Sequence, residues 1–252
     1  MIPAALKPCS TNPLFWSEHF QNLRASYKKV GDNTWNELNF LEKNLETSRN
    51  LFTPKSLELR EPEPKKLEVF ALLSGLPFGE DFINFLSSIQ ANISYILGDS
   101  LHYWVERDNF GVEYCVFKWP QDDWQDYLTR EVGIILESIK APRYQFHIIG
   151  IQINPDGCVV AKGFDENAAL FNIRSQIKEK ISFLPDKQSG WAHVPLGRIL
   201  EPLSEDKFAR LSAFISRMSD SYLVSAEIAS FKFIHETRWY MTEKVVLQEY
   251  LF

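Results

Sequence analysis

Residues 190–200, GWAHVPLGRIL, place one imidazole and one guanidinium in a run that is otherwise apolar. His193 can take or give a proton near neutral pH, and Arg198 can bind a phosphate or a carboxylate. A lone histidine in an apolar strand is nevertheless more often a hydrogen-bonded structural residue than a catalyst. The residue types of this segment therefore leave catalysis and structure open as alternatives.

Three other histidines lie beside polar or aromatic residues. We expect His102, in SLHYWVER, at the start of a surface strand, and His147, in YQFHIIGIQI, on a central strand. The segment FIHETRWY brings together His235, Arg238 and Tyr240, which makes it the best remaining candidate for contact with an anion. The alternative is that these three side chains are solvated in a turn.

Several familiar catalytic motifs are absent from the sequence. It has no Gly-rich phosphate loop, no Gly-x-Ser-x-Gly nucleophile elbow, no His-Glu-x-x-His and no Cys-x-x-Cys. Asp122 and Asp123 have the appearance of a metal-ligand pair, but acidic residues are also favoured where a helix begins. We therefore predict neither a metal nor a cofactor.

The composition is that of an ordinary globular chain, with 45% hydrophobic and 24% charged residues. A net charge of −6 argues against a binder of double-stranded DNA, which normally presents a basic face, but it allows a local basic pocket. Three cysteines are too few for a disulfide framework, the start of the chain has no secretory pattern, and no apolar run reaches the ~18 residues of a membrane helix. We therefore expect a cytoplasmic protein without membrane contact. Its oligomeric state stays open.

Residues 1–66 are predicted to form a helical extension and a linker. Apolar residues at helical spacing predict one helix from about residue 14 and a second helix with Asn33 and Thr34 at its N-cap. The run LELREPEPKKL predicts an extended linker that ends near Lys66. We expect the two helices to pack on the rest of the chain, because the aromatic residues of this segment are too apolar to stay in water. The aromatic residues are Phe15, Trp16, Phe20, Trp35 and Phe40.

Residues 67–252 alternate between strand-like and helix-like segments. Strands are predicted in LEVFALLSGLP, LHYWVERD, GVEYCVFKW, AHVPLGRI and KVVLQEYLF, in a hairpin that turns at residues 154–157, and across YLVSAEIASFKFIHET. Helices are predicted in GEDFINFLSSIQANISYIL, DDWQDYLTREVGIILESIK, ENAALFNIRSQIKEKISFL and SEDKFARLSAFISRMSD. Hairpins mixed with helical crossovers predict an α+β fold with helices packed on the faces of a sheet.

This order of elements resembles the 2H phosphoesterase superfamily, the LigT-like RNA ligases and cyclic phosphodiesterases. The resemblance covers roughly residues 67–252 and implies a two-lobed, pseudo-symmetric antiparallel sheet with flanking helices. Each lobe of that fold carries a His-x-Thr/Ser motif on a central strand, and both motifs face one cleft. AHVPLGRI is similar to the second motif, His-x-Thr-Leu-x-Arg, through His193, Leu196 and Arg198, with Pro195 in place of the hydroxyl residue.

The first motif is altered more strongly. In GVEYCVFKW, Glu113 stands where the histidine belongs and Cys115 where the Thr or Ser belongs. The family mechanism implies one imidazole as general base and another as general acid across a cyclic or 2′,5′-linked phosphate, with two hydroxyls holding its oxygens. A carboxylate repels phosphate, proline has no donor, and a thiol is a weak one. The resemblance thus implies catalytic positions at Glu113 and His193 and binding positions at Cys115, Pro195 and Arg198, in a degenerate site.

Three functions follow as alternatives. Glu113 and Pro195 favour a degenerate protein that binds a nucleotide, an RNA end or another phosphate ligand with little or no catalysis. The first alternative is an active cyclic phosphodiesterase with His193 as its acid–base residue, and the second is a protein-interaction module. We expect Glu113 and His193 on adjacent central strands, with side chains toward the same concave face. A cleft with a second imidazole would support the enzyme, and a filled cleft would support the module.

Overall fold

The computed structural model of the protein describes residues 17–252, apart from the side chain of Glu166. Phe15, Trp16 and Cys9 lie outside the described residues. The helices are α1 (Glu18–Trp35), α2 (Glu42–Arg49), α3 (Pro54–Glu58), α4 (Glu80–Leu97), α5 (Asp126–Glu137), α6 (Ala169–Lys180) and α7 (Glu205–Met218). The strands are β1 (Lys66–Gly75), β2 (His102–Trp104), β3 (Gly111–Lys118), β4 (Tyr144–Ile153), β5 (Cys158–Asp165), β6 (Ala192–Ile199), β7 (Tyr222–Ile228), β8 (Ser230–Arg238) and β9 (Glu243–Leu251).

The strands form two antiparallel sheets, which confirms the predicted α+β fold with its N-terminal helices. The first sheet has the order β3-β1-β8-β9, and the second has the order β2-β6-β5-β4-β7. The predicted closing strand across residues 222–237 is in fact two strands, β7 and β8, separated by Ala229 alone. They belong to different sheets, so the chain passes from the second sheet to the first within one residue.

Helices cover the outer face of each sheet because apolar side chains line one side of every helix. On the first sheet, Trp124 ahead of α5 stacks on Phe70 with ring centroids 4.6 Å apart. On the second sheet, α4 and α7 pack on each other and on the strands, and Phe82 of α4 lies against Phe146. The side-chain amide of Gln90 in α4 donates to the carbonyl oxygens of Val105 and Leu196.

We define the inner face of each sheet as the side opposite those helices. On the second sheet it carries Val160 and Lys162, whose cross-strand partners on β6 are Pro195 and His193. Directly opposed residues share a face of an antiparallel pair. On the first sheet, the inner face carries a small buried apolar cluster that is separate from the main core. Its members are Val69, Ala71, Leu73, Leu76, Val116 and Ile234.

The N-terminal helices pack on the inner face of the second sheet, as their apolar residues predicted. The aromatic rings of Phe20 and Tyr27 contact Phe164, which is two residues from Lys162 on β5. Phe20, Tyr27 and Phe40 are buried, and Trp35 packs on Phe208. Within residues 17–252, no helix has the length and apolar character that crossing a bilayer requires.

The boundaries of these helices differ from the prediction. The first helix continues to Trp35, so Asn33 and Thr34 lie in its last turn instead of capping the next helix. The hydroxyl of Thr34 donates to the carbonyl oxygen of Ile153, which gives this polar residue a tertiary partner inside the helix. The second helix begins only at Glu42. Leu38, which lies at helical spacing from Trp35, Leu41 and Leu45 in the sequence and was therefore expected on the apolar face of this helix, is 92% exposed.

The predicted linker is docked on the rest of the chain. Its first residues form the end of α3, and the remainder is extended up to β1. Arg60 makes a bidentate ion pair with Glu201, in which both N–O distances are 3.0 Å. It also donates to the carbonyl oxygen of Asp99. A β-bridge joins Phe52 to Pro64. These contacts fix the path of the chain between the extension and β1.

Candidate functional site

The candidate site lies where β3 of the first sheet runs beside β6 of the second. β3 is the outermost strand in the hydrogen-bonded order of its sheet, so the prediction of a central strand is wrong for Glu113. The side-chain amide of Gln188 binds both backbone groups of Val116, as a neighbouring strand would do. This contact covers the free edge of β3, which would otherwise be open to pairing with another chain.

Arg174 of α6 ties the two strands together. Its guanidinium donates to the carbonyl oxygens of Glu113 and Tyr114 on β3 and of Trp191 just before β6, at 2.6, 2.8 and 2.6 Å. Its Nη1 is buried and has no hydrogen-bond partner within the described part of the chain. The buried guanidinium of Arg174 thus has one nitrogen without a hydrogen-bond partner among the described residues of the junction. A bound ion or ligand would explain such a group.

His193 and Pro195 both project from the inner face of β6, since no register shift separates them. A bulge follows between Pro195 and Gly197. It brings Arg198 back to the side of His193, because Arg198 then pairs with Cys158, two residues from Val160. Regular alternation would have pointed the guanidinium to the opposite side. The structure therefore brings together three of the residues that the second motif predicted.

His193 is half-buried, and its Nδ1 is buried without a hydrogen-bond partner among the residues described. The ring of Trp191 meets it edge to face at 5.8 Å. Burial, and then the positive charges of Arg174 and Arg198, lower the pKa of His193 to about 4. The imidazole is consequently neutral at pH 7, a state that can accept a proton but cannot act as an imidazolium donor.

A bulge on β3 separates two of the predicted site residues. Glu113 lies opposite Leu73 on β1, whereas Cys115 lies opposite the very next residue, Leu72. Two steps along β3 therefore match one step along β1, and the usual rule that i and i+2 share a face fails here. Glu113 keeps to the inner face. The expectation for Cys115 is corrected: its thiol is 4% exposed and belongs to the main core.

Two carboxyl groups occupy the inner face of the first sheet. Burial raises the pKa of Glu113, and the positive charge of Arg174, which lowers this pKa, offsets the rise only in part. Glu236, which the sequence did not single out, is 3% exposed and accepts a hydrogen bond from the backbone amide of Met241 at 2.9 Å. Burial raises the pKa of Glu236 to about 7, and the negative charge of Glu113 acts in the same direction. This part of the junction is acidic, which disfavours a phosphate close to Glu113.

Glu236→Gln is expected to remove part of the pH dependence of stability. With a pKa of about 7 in the fold against 4.5 ordinarily, the protonated carboxyl is favoured by folding. Its contribution, on the order of 3 kcal/mol, is complete below the ordinary value and is lost as the pH rises through about 7. Urea unfolding between about pH 5 and about pH 8.5 measures this. The exposed Glu131→Gln is the control, and an unchanged pH slope in Glu236→Gln would contradict the assignment.

The structure separates the predicted cluster of His235, Arg238 and Tyr240. His235 lies on the outer face, where its ring stacks on Phe70 at 4.4 Å and its Nε2 is 3.2 Å from a carboxylate oxygen of Glu68. Arg238 is held by Glu63 and Glu243 at 2.7 and 2.9 Å. Of the three, Tyr240 alone contacts another residue of the predicted site, Arg198. The three residues therefore do not form a common anion site.

Arg198 is already engaged by groups of the protein. Its Nε donates to the hydroxyl of Tyr240 at 2.6 Å, and its Nη1 donates to Ser48 at 2.9 Å and to Asp156 at 2.7 Å. Tyr240 sits in the β8–β9 turn with a φ of 63°, a left-handed conformation that costs free energy for a bulky residue. The contact with Arg198 holds the ring of Tyr240 across the junction in spite of that cost.

Neither of the other two histidines that the sequence analysis considered reaches the junction. His147 is buried on β4 beside the hydroxyl of Tyr222, and the Nδ1 of His102 is 2.6 Å from the carbonyl oxygen of Ser100. No group of three or more metal-ligating side chains occurs within residues 17–252.

The role of Arg174 at the junction was not predictable from the sequence. This residue sits in the helical pattern FNIRSQI beside buried Ile173 and Ile177, where an arginine normally covers apolar surface with its stem.

No protein-family model matches the sequence, and no curated protein matches it. The folded chain is similar to solved structures. Protein TT0787 of Thermus thermophilus has 13% identity and a TM-score of 0.52, over 73% of this chain and 97% of that chain. LigT of E. coli, solved with ATP, has 10% identity and a TM-score of 0.50, over 73% and 97%.

A third similar structure is ATU0111 of Agrobacterium tumefaciens strain C58, a conserved protein of unknown function. It has 12% identity and a TM-score of 0.51, over 77% of this chain and 91% of that chain. The shared part amounts to about three quarters of this chain in all three cases, in agreement with the extent of the resemblance in element order. The chain therefore has the LigT-like 2H phosphoesterase fold.

Proposed function

We propose that this protein binds a phosphate-bearing ligand, such as a nucleotide or an RNA end, at the junction of β3 and β6, with little or no turnover. One observation carries the proposal. Two buried nitrogen atoms, Nη1 of Arg174 and Nδ1 of His193, lack partners among the described residues at this junction. Nη1 of Arg174 can donate to an anion, and so can Nδ1 of His193 in the tautomer that carries its proton there; a buried polar atom without a partner is costly unless something binds it. The ATP bound by E. coli LigT, which has the same fold, adds support.

The groups that catalysis would need are incomplete. Hydrolysis in this family takes a proton on one side of the phosphorus and delivers one on the other. His193 is neutral at pH 7, and the position that the resemblance gives to the second imidazole holds a carboxyl group, Glu113. Pro195 has no donor, and the thiol of Cys115 points into the core. The alternative of an active cyclic phosphodiesterase with His193 as acid–base residue is for this reason the weaker proposal.

The further alternative, a protein-interaction module, rests on a different observation. The helices α1 and α2 cover the inner face of the second sheet, so part of the cleft expected from the family is filled by the chain itself. A protein that used its other surfaces to bind partners would tolerate such a filling. For either role we propose a cytoplasmic location, because Cys115 and Cys158 are unpaired and a reducing compartment keeps thiols in that state.

Isothermal titration with ATP and with inorganic phosphate tests the principal proposal. We expect weak binding by the natural chain. Glu113→Gln should tighten it roughly tenfold, because it removes a negative charge that faces the ligand. His193→Ala should weaken it, since one of the two free donors is lost.

His235→Ala is the matched control, because this histidine lies on the outer face. We expect it to leave the affinity unchanged. Circular dichroism shows whether each variant is folded. No binding of inorganic phosphate by the natural chain or by Glu113→Gln, or equal effects of His193→Ala and His235→Ala, would overturn the proposal.

A further inference from the structure

Helix α1 lies directly beside the candidate site. The hydroxyl of Tyr27 donates to the carbonyl oxygen of Gly163 and accepts from the amide of Ala192, the residue before His193. The indole of Trp191 donates to Ser26 at 2.8 Å, and its ring packs on Tyr27 at 4.8 Å. Because the same indole also meets the ring of His193 edge to face, Trp191 is a shared contact of the helix and the site.

Charged groups connect the helix to the site as well. Asp220, which follows α7, accepts from Arg24 of α1 and also pairs with Lys162 at 3.4 Å. Lys162 is the cross-strand partner of His193. The carboxylate of Asp220 therefore neutralises Lys162 on the inner face and, through Arg24, also attaches α1 to the domain.

The attachment of α1 differs from that of α2. The buried side chains of Phe20, Leu23 and Tyr27 hold α1, and its last turn is attached through Thr34 and Trp35. Beyond Trp35 the chain is non-helical until α2, and α2 is fixed separately through the contact of Ser48 with Arg198 and through buried Leu45. Asn39 and Phe40 are held by Leu203 and Phe208, so the exposed residues 36–38 are the connection about which α1 can move while α2 stays in place.

We propose that α1 is a lid over the phosphate site, which must move off the inner face before a ligand as large as a nucleotide can bind. The proposal rests on the function proposed above. In the closed state Tyr27, Ser26 and Arg24 occupy the wall beside His193 and Lys162. Since only the open fraction is competent to bind, the closed lid reduces the apparent affinity by that fraction.

Gly31 offers a way to open the lid without touching the site. A Cβ at this position would come within 2.8 Å of the side chain of Gln152. Gly31→Leu should therefore wedge the helix away from the sheet. Gln152→Ala removes about as many atoms as the introduced leucine side chain adds, so the double variant should close again. Gly79→Leu is the control, because nothing lies within 4 Å of a Cβ at Gly79.

Two measurements together test the lid: hydrogen exchange of the α1 amides and titration with ATP. In Gly31→Leu we expect faster exchange in α1 and an ATP dissociation constant lower by about tenfold or more. Gly31→Leu/Gln152→Ala and Gly79→Leu should both behave as the natural chain does. If Gly31→Leu fails to fold, the exposed Arg24→Glu, which repels Asp220, should change both measurements in the same direction.

The outcomes separate the two proposals. A loosened α1 with unchanged or weaker ATP binding overturns the lid and leaves the phosphate site standing. If the α1 amides stay protected from hydrogen exchange in both Gly31→Leu and Arg24→Glu, the helix is a fixed part of the fold. This result also overturns the lid. If ATP binds neither the natural chain nor a variant with loosened α1, the phosphate site itself is refuted and the lid with it.

Discussion

Hydrolysis of 2′,3′-cyclic nucleotides by this chain should be absent, or slower by roughly 10⁴-fold or more than by a relative that keeps both histidines. Each proton-transfer role typically contributes about 10²–10⁴ in rate. By the resemblance to the 2H phosphoesterases, Glu113 stands at the position of one imidazole, and Cys115 and Pro195 stand at the positions of the two hydroxyl donors, so one proton-transfer role and both donors are lost. These losses act on one transition state and are not independent, so their product is an upper limit. A continuous assay with 2′,3′-cyclic AMP measures the rate.

The geometry specifies which repair should restore activity. Glu113 and Pro195 are both on the inner face, so Glu113→His with Pro195→Thr should raise the rate above that of the natural chain. Adding Cys115→Thr should bring no further gain, because this side chain lies in the core on the other side of β3. Robust turnover by the natural chain that is abolished by His193→Ala would show that the assignment as an inactive protein is wrong.

Deletion of residues 1–65 should abolish the cooperative folded state or cause aggregation. The described part of the deleted segment buries six large apolar side chains: Phe20, Leu23, Tyr27, Phe40, Leu45 and Phe52. At about 1.5–3 kcal/mol for each such side chain, their burial is comparable to the whole stability of a domain, about 5–15 kcal/mol. The deletion would also expose the inner face of the second sheet, including Phe164. Thermal unfolding followed by circular dichroism, together with light scattering, measures both effects.

A pair of leucine variants tests the same point at the level of single residues. Leu45 is fully buried, whereas Leu38 is 92% exposed in the connection between α1 and α2. Leu45→Ala should lower the free energy of unfolding by about 2–5 kcal/mol, and Leu38→Ala should leave it within about 0.5 kcal/mol. Equal effects of the two substitutions, or an unchanged melting curve after the deletion, would mean that the extension contributes no core.

The fold was predictable from the sequence because its elements are strongly periodic and their order is distinctive. The predicted hairpin with its turn at residues 154–157 is present as β4 and β5, and the start of β1 at Lys66 coincides with the predicted end of the linker. The first helix was cut short in the prediction because Asn33 and Thr34 favour N-caps in general. Here tertiary contacts override that preference, since Thr34 finds a partner on β4.

The candidate site was less predictable, because bulges decide which side chains meet. A bulge at residues 113–115 removes Cys115 from the face of Glu113, and one after Pro195 adds Arg198 to the face of His193. The bulge on β3 has no signal in the sequence. The bulge on β6 lies between Pro195 and Gly197, which are residue types typical of bulges, but the prediction assumed unbroken alternation. Arg174 and Glu236 join the site from other elements through the fold alone. Their contribution depends on contacts between residues about sixty positions or more apart in the chain, which local patterns do not encode.

The single residue between β7 and β8 limits how this molecule can admit a ligand. Many binding proteins open like a hinge, with two halves that rotate about flexible connections. In this chain Ala229 alone joins a strand of one half to a strand of the other, and a chain of buried hydroxyl groups from Ser74 through Tyr114 to Tyr144 crosses the same boundary. Rotation of the two sheets relative to each other would break those buried hydrogen bonds and would separate β7 or β8 from its sheet. Access to the interior therefore depends on the peripheral helix, and the rate of its motion sets the fastest rate at which a ligand can enter.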